Sequence, residues 1–249
     1  MPSRIAVLLC ALAMPIVAWF SQRGFFGPDN GTISNQYPTL IVAAGYAFAI
    51  WGLIFLLDVL FGVWQMLPAN AEDPVLRRIR PAAAAGFALS AAWMIVFPMQ
   101  LFWVALAVIW LDLACLLYCA DVLSRTRRAS PGGARWPALL PLSLHAGWLS
   151  LAAFLNLAQV IVAYRLLPVE NMLPWSLVLL VAAGLLLLVY NRRMSGNLAF
   201  ALAAVWGLAA VYVKQSSHQL TGAPTAAVVA VVVAVILAAQ TLWLVARRR

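Results

Sequence analysis

The chain has 249 residues, of which 65% are hydrophobic and 9% charged, and its formal net charge at pH 7 is +9. A soluble domain of this length could not hide so much apolar surface from water, so the composition excludes a soluble globular protein and indicates an integral membrane protein. The three cysteines all lie in apolar runs and give no disulfide framework.

Apolar runs long enough to cross about 30 Å of hydrocarbon predict eight transmembrane helices. The alternating pattern of a membrane barrel is absent from the sequence, so the predicted fold class is all-α. The first and third runs are short. The predicted spans are 5–20, 43–67, 82–98, 101–122, 137–163, 174–190, 197–213 and 225–246.

A long loop, residues 21–40, joins the first two spans and is rich in glycine and proline. It has no helix signal of its own. Such a loop could fold over the helix bundle as a lid or serve only as a connector, and the sequence leaves both readings open.

The second, third and fourth spans each gather aromatic, polar or sulfur-bearing residues on one helical face. On the second span these are Phe48, Trp51, Phe55, Asp58, Gly62 and Gln65; on the third, Gly86, Trp93, Phe97 and Gln100; on the fourth, Asp112, Cys115 and Cys119. Three tryptophans inside these helices and the fifth, Trp51, Trp93 and Trp148, could form an aromatic cavity for a flat apolar ligand or pack without one.

The fifth span carries the strongest pattern, with one polar and aromatic side and one apolar side. The polar face consists of Pro141, His145, Trp148, Ala152, Asn156 and Gln159. Within a membrane such a face is expected to meet neighbouring helices, because hydrocarbon offers a polar group no partner. We therefore predict that this helix forms one wall of a site.

Three ionisable side chains lie deep in predicted spans: Asp58, Asp112 and His145. At about 1.5 Å of rise per residue they are roughly 12, 15 and 12 Å from the cytoplasmic ends of their helices. The alternatives are a proton-linked site, a polar anchor for a ligand, or a buried structural Asp and His pair. The Cys and His spacings match no metal-site pattern, so no metal is expected.

Spans six to eight consist mostly of Leu, Val and Ala, with small residues at four-residue spacing, which favours close helix packing. We predict two domains on this basis: residues 1–164 as the ligand-binding bundle and residues 165–249 as a three-helix membrane module. No internal repeat relates the two.

Arginine positions predict the orientation, because positive residues collect on the cytoplasmic side. With the N-terminus inside, only Arg23, Arg165 and Lys214 fall outside. The cytoplasmic side receives Arg4, Arg77, Arg78, Arg80, Arg125, Arg127, Arg128, Arg135, Arg192, Arg193, Arg247, Arg248 and Arg249. Both termini are therefore expected in the cytoplasm, and the Ala- and Arg-rich composition is typical of a bacterial inner (cytoplasmic) membrane protein. The net charge reflects this topology, and no nucleic-acid partner is expected.

Motifs in three spans resemble the tryptophan-rich sensory protein family, also called the translocator protein or peripheral benzodiazepine receptor (TspO/MBR) family. In the fifth span, residues 148–156 read Trp-Leu-Ser-Leu-Ala-Ala-Phe-Leu-Asn and follow Pro141, which keeps the family's Trp, Ala, Leu and Asn in register. Residues 45–55 and 89–97 resemble the family's second and third helices. The second span lacks the family proline, Ser90 replaces an asparagine, and three helices follow where typical members end.

The resemblance covers about residues 1–164 and implies a five-helix bundle with a cavity under the first loop. It implies binding of a porphyrin or haem-type tetrapyrrole, in some members of sterols, with no cofactor required. Expected partners are membrane lipid and a small hydrophobic ligand, and a homodimer is compatible with the sequence. Taken with the helix faces, the resemblance places the ligand-binding residues at Phe48, Trp51, Phe55, Trp93, Phe97, His145, Trp148, Ala152 and Asn156.

The leading hypothesis is thus a non-enzymatic membrane receptor or sensor for a flat hydrophobic molecule. A second hypothesis is a proton-coupled transporter of a small hydrophobic molecule, in which Asp58, Asp112 and His145 carry the protons. A third is a structural subunit of a membrane complex.

Overall fold

The computed structural model describes residues 1–129, 135–217 and 219–247, and the regular structure in these ranges is helical. Eight of the helices are long and apolar enough to cross a membrane. The predicted all-α membrane class and the predicted number of spans are therefore confirmed for the described part of the chain. Arg248 and Arg249, two of the arginines predicted to be cytoplasmic, lie outside the described residues. The helices are α1 (Pro2–Gln22), α2 (Asn30–Gln36), α3 (Ile50–Trp64), α4 (Pro74–Val96), α5 (Phe102–Ala129), α6 (Trp136–Ala163), α7 (Leu173–Arg193), α8 (Leu198–Ser216) and α9 (Ala223–Ala246), with 3₁₀ segments at Gly45–Ala49 and Pro68–Asn70.

Helix α4 begins at Pro74, well before the predicted start at residue 82. The Asp73 carboxylate caps this end, accepting hydrogen bonds from the backbone N–H groups of Val75 (2.8 Å) and Leu76 (3.0 Å). Pro74 occupies the first helical position, where its missing N–H costs nothing. The predicted short third span is therefore wrong, because its arginine-rich first turns are helical too.

Helix α2 lies inside the loop for which no helix was expected. Two long-range contacts support it. Gln159 donates to Ser34 Oγ (3.2 Å), and Lys214 Nζ donates to Asn35 Oδ1 (3.2 Å). Tertiary contacts of this kind stabilise a short helix that the local sequence does not specify.

Packing divides the chain into two compact units, and the first comprises Met1–Asp29 and Ala49–Ala146. It contains α1, α3, α4, α5 and the first part of α6, with α4 packed against both α1 and α5. Small residues bring α1 and α3 together, since a Cβ placed on Gly62 would be 3.2 Å from Ala11 Cβ.

A buried arginine, Arg80, ties the start of α4 to the end of α3. Its Nε donates to Gln65 Oε1 (3.0 Å), its Nη1 to the Ala71 carbonyl (2.9 Å) and its Nη2 to the Asn70 carbonyl (2.6 Å). Gln65 in turn donates to the Arg4 carbonyl in α1 (2.9 Å). Although Arg80 was counted among the cytoplasmic arginines, only 2% of it is exposed.

The substitution Arg80→Met is expected to destabilise the first unit by about 2 kcal/mol, because it keeps the side-chain length but leaves three acceptors without their donor. The free energy of unfolding, measured by denaturant titration of the purified protein in detergent, checks this. Arg77→Met is the matched control, since Arg77 forms a surface ion pair with the exposed Glu72. Equal losses in the two variants would contradict the prediction.

The second unit comprises Asn30–Phe48 and Gly147–Arg249. Here α9 packs against α7 and α8. The segment 30–48 is fastened to α8 by hydrogen bonds from Ala44 N to the Ala210 carbonyl (2.9 Å) and from Trp206 Nε1 to the Ala47 carbonyl (3.1 Å). Gln215 of α8 also donates to two carbonyls of this segment.

The boundary between the units lies within α6, between residues 146 and 147, whereas the predicted domains meet at residue 164. The predicted division into 1–164 and 165–249 concerns function, with ligand binding assigned to the first five spans. Packing does not test that assignment, and it stays a prediction.

Candidate functional site

Helix α6, predicted as one wall of a site, is buried on more than one side. Its polar residues His145 and Asn156 are at most 2% exposed, but Leu149 and Val160 on its apolar side are no more accessible. The helix contributes its first part to one unit and its second part to the other. It is therefore mainly a core helix, and most of its apolar side is buried in the protein, with Leu140 as an exposed exception on that side.

The three deep ionisable residues meet in the first unit through a fourth side chain, Ser90. His145 Nδ1 is 2.8 Å from Asp58 Oδ2, and His145 Nε2 is 3.2 Å from Ser90 Oγ. Ser90 Oγ is also 2.5 Å from Asp112 Oδ2. The four groups come from α3, α6, α4 and α5, and none is more than 1% exposed. We call Asp58, His145, Ser90 and Asp112 the polar network.

The motif comparison singles out Ser90 only as a replacement for a family asparagine. The sequence holds a signal for it, because Gly86, Ser90, Trp93 and Phe97 follow the three- and four-residue spacing of one helical face. Serine is common in membrane helices, so it draws less attention than a charged residue.

A close approach of α4 and α5 brings Ser90 to Asp112. A Cβ placed on Gly86 would be 2.8 Å from Leu116 Cδ2 and 3.2 Å from Asp112 Oδ1. A side chain at this position would have to displace Leu116 and crowd Asp112, so Gly86 favours the close approach across which Ser90 and Asp112 bond.

Aromatic rings surround the histidine. Trp51 meets the His145 ring edge-on at 5.5 Å between centroids, and Phe87 lies parallel to it at 6.3 Å with an interplanar angle of 10°. Aromatic packing of this kind keeps the imidazole away from water and fixes its orientation.

A row of four nearly parallel rings extends from this point: Phe55, Trp51, Trp93 and Phe97. Their successive centroids are 5.3, 6.3 and 4.5 Å apart, with interplanar angles of 27°, 27° and 18°. We call these residues the ring stack. Each is at most 7% exposed.

The remaining predicted ligand-binding residues lie in the second unit. Phe48 meets Trp148 edge-on at 6.3 Å between centroids, and Trp148 also borders α8, since a Cβ on Gly207 would be 3.4 Å from its Cζ3. Ala152 is half-buried and Asn156 is buried. The structure thus groups Trp51, Phe55, Trp93, Phe97 and His145 in the first unit, and Phe48, Trp148, Ala152 and Asn156 in the second.

A family profile described as TSPO-like protein matches residues 4–243. The chain belongs to the TSPO-like protein family. The match continues through α7, α8 and most of α9, beyond the residues 1–164 over which the motifs resemble the family. No curated protein and no solved structure matches the chain.

The polar network consists of carboxyl, imidazole and hydroxyl groups, which are side chains that can exchange protons. Serine hydrolases also use a serine, a histidine and an aspartate that hydrogen-bond in the order seen for Ser90, His145 and Asp58. In those enzymes the serine hydroxyl must contact the substrate. Here the Ser90 hydroxyl is 1% exposed and shared with Asp112. Among the described residues, no three His, Cys, Asp or Glu side chains are grouped so that they could hold a metal ion.

Proposed function

We propose that this chain is a membrane receptor or sensor that binds a flat hydrophobic molecule, with a tetrapyrrole such as a porphyrin as the favoured ligand. The observation that carries the proposal is the ring stack, in which two rings of α3, one of α4 and that of Phe97 just after α4 are nearly parallel. Parallel rings offer a flat π-system the offset stacking that it prefers. We place the protein in a bacterial inner membrane with both termini in the cytoplasm.

His145 lies at the edge of the ring stack, but both of its nitrogens are engaged in the polar network. It therefore has no nitrogen left to ligate a haem iron. Binding through the rings alone predicts that metal-free protoporphyrin and haemin bind with similar affinity.

Absorbance titration of the detergent-purified protein with protoporphyrin tests the proposal. Trp51→Leu is expected to weaken binding about tenfold, which corresponds to about 1.4 kcal/mol, because it interrupts the ring stack. Trp103→Leu is the matched control, since Trp103 on α5 lies outside the stack and is half-exposed. Non-saturable binding, or the same affinity in all three proteins, would refute the proposal.

A second candidate function, proton-coupled transport of a small hydrophobic molecule, is favoured by the polar network. Ionisable groups inside a membrane are costly, and they often mark proton paths. Porphyrin uptake into liposomes that follows an imposed pH gradient would distinguish transport from binding alone.

A further inference from the structure

Counting protons in the polar network sets its net charge. With both carboxylates ionised and the histidine neutral, the four side chains would hold two exchangeable protons, one on Ser90 and one on His145. The three short contacts each need one proton between their heavy atoms, because two lone pairs facing each other at 2.5 to 3.2 Å repel. A third proton is therefore required, and the network carries one negative charge.

With a neutral imidazole, these three protons satisfy all three hydrogen bonds in two opposite ways; a third way, with both carboxylates ionised and both imidazole nitrogens protonated, lies between them. In the first arrangement, Asp58 is protonated and donates to His145 Nδ1, His145 Nε2 donates to Ser90, and Ser90 donates to an ionised Asp112. In the second, every bond is reversed: Asp112 is protonated and donates to Ser90, Ser90 donates to Nε2, and Nδ1 donates to an ionised Asp58.

We propose that the polar network is a proton relay that moves one negative charge between α3 and α5. In the step, the Asp58 Oδ2 proton passes to His145 Nδ1, the Nε2 proton passes to Ser90 Oγ, and the Ser90 proton passes to Asp112 Oδ2. Three bonds to hydrogen break and three form, so no proton enters or leaves. The charge moves from Asp112 to Asp58.

The surroundings leave the charge free to move. In the described part of the chain, the four side chains hydrogen-bond only to one another, and no cation holds either carboxylate. Asp58 is the only titratable residue of α3 and His145 the only one of α6.

Of the other titratable residues of the packed helices, Cys115 interacts electrostatically with Asp112, whereas Cys119 and Arg80 bind elsewhere. On α5, Cys115 follows Asp112 by about one turn, and Cys119 Sγ donates to the Ile79 carbonyl. On α4, Arg80 precedes Ser90 by ten residues, about 15 Å along the helix. On α1, the titratable residues are Arg4 and the half-buried Cys10.

The carboxylates have a further oxygen each, Asp58 Oδ1 and Asp112 Oδ1, at the two ends of the relay. Both atoms are buried and have no hydrogen-bond partner among the described residues. They are the positions at which a fourth proton would neutralise the network, so the relay has one acceptor at each end.

Nitrogen NMR of the imidazole in lipid bilayers tests the relay, using the full chain with His218→Gln so that His145 is the only histidine. Asp112→Asn is expected to fix the charge on Asp58 and place the proton on Nδ1. Asp58→Asn is expected to fix the charge on Asp112 and place the proton on Nε2. Opposite tautomers in the two variants, with intermediate shifts for both nitrogens in the parent, are the expected result. The same tautomer in all three, or a parent in which both nitrogens are fully protonated, would overturn the proposal.

Ser90→Ala is the control that separates a relay from a simple charge effect. It removes the middle link, so adding Asp112→Asn to Ser90→Ala should leave both nitrogen shifts of His145 unchanged. If Asp112→Asn shifts the His145 nitrogens as much in the Ser90→Ala protein as it does when Ser90 is present, Asp112 acts through space. That result would overturn the relay. This pair decides the question even where Asp58→Asn fails to fold. Porphyrin titration of the same samples reports on the proposed receptor function separately, since the relay needs no ligand.

Discussion

Replacing Gly147 by alanine is expected to destabilise the second unit by about 3 kcal/mol or more, at the upper end of what overpacking costs. The added Cβ would lie 2.2 Å from the carbonyl oxygen of Phe200 and 2.9 Å from its Cα. These are backbone atoms, which cannot rotate away as a side chain can, so α6 and α8 would have to separate. The melting temperature and the free energy of unfolding in detergent measure the effect.

Two other glycines provide the controls. Gly207→Ala should cost less, because its closest neighbour is Leu151 Cδ2 at 2.6 Å, the end of a flexible side chain. Gly52→Ala should leave stability unchanged or raise it by up to about 1 kcal/mol, since the added Cβ would meet no described atom within 4 Å apart from its chain neighbours and its own helix backbone, and alanine is the better helix former. Equal melting temperatures for the Gly147 and Gly52 variants would contradict the packing argument.

The close contact at Gly147 could not be predicted from the sequence. Periodicity describes one helix at a time, whereas the distance of closest approach depends on how two helices cross. The sequence did predict small-residue packing in spans six to eight, and Ala226 and Ala230 are indeed fully buried. It did not indicate which glycine faces a backbone.

The spans were predictable because hydrophobic length is a local property of the chain. The residues at which the helices begin and end were not predictable in the same way. The α4 boundary depends on the cap at Asp73, which hydropathy ignores, and a turn bearing Arg77 and Arg80 does not look like a membrane helix. Helix α2 depends on contacts with distant parts of the chain, such as Gln159 with Ser34.

The candidate site was predictable in part for a similar reason. Asp58, Asp112 and His145 stood out because ionisable residues are rare inside spans, and the rise per residue placed them at one depth. Whether they meet depends on rotamers and on the link through Ser90, which no single-helix pattern contains. The ring stack was foreseen as a face of aromatic residues, but its parallel order was not.

The substitution His145→Leu is expected to cost about 3–5 kcal/mol of stability, because it leaves the Asp58 carboxylate buried without a partner. Asp58→Leu should cost a comparable amount, since it strands His145 Nδ1. The double variant should recover to within about 1 kcal/mol of the parent, because a buried pair replaced by apolar side chains is often neutral. The bond from Ser90 to Asp112 remains in all of these proteins. Unfolding free energies for the four proteins of this cycle give the coupling between the two residues.

The size of that coupling bears on why the chain has ionisable groups in its membrane core. A double variant as stable as the parent would mean that apolar residues can hold α3 and α6 together equally well, so stability does not account for the pair. Its retention is then explained by what Leu cannot do, which is to accept and pass on a proton. Losses that simply add in the double variant would instead make Asp58 and His145 a structural anchor, and would remove this support for the relay.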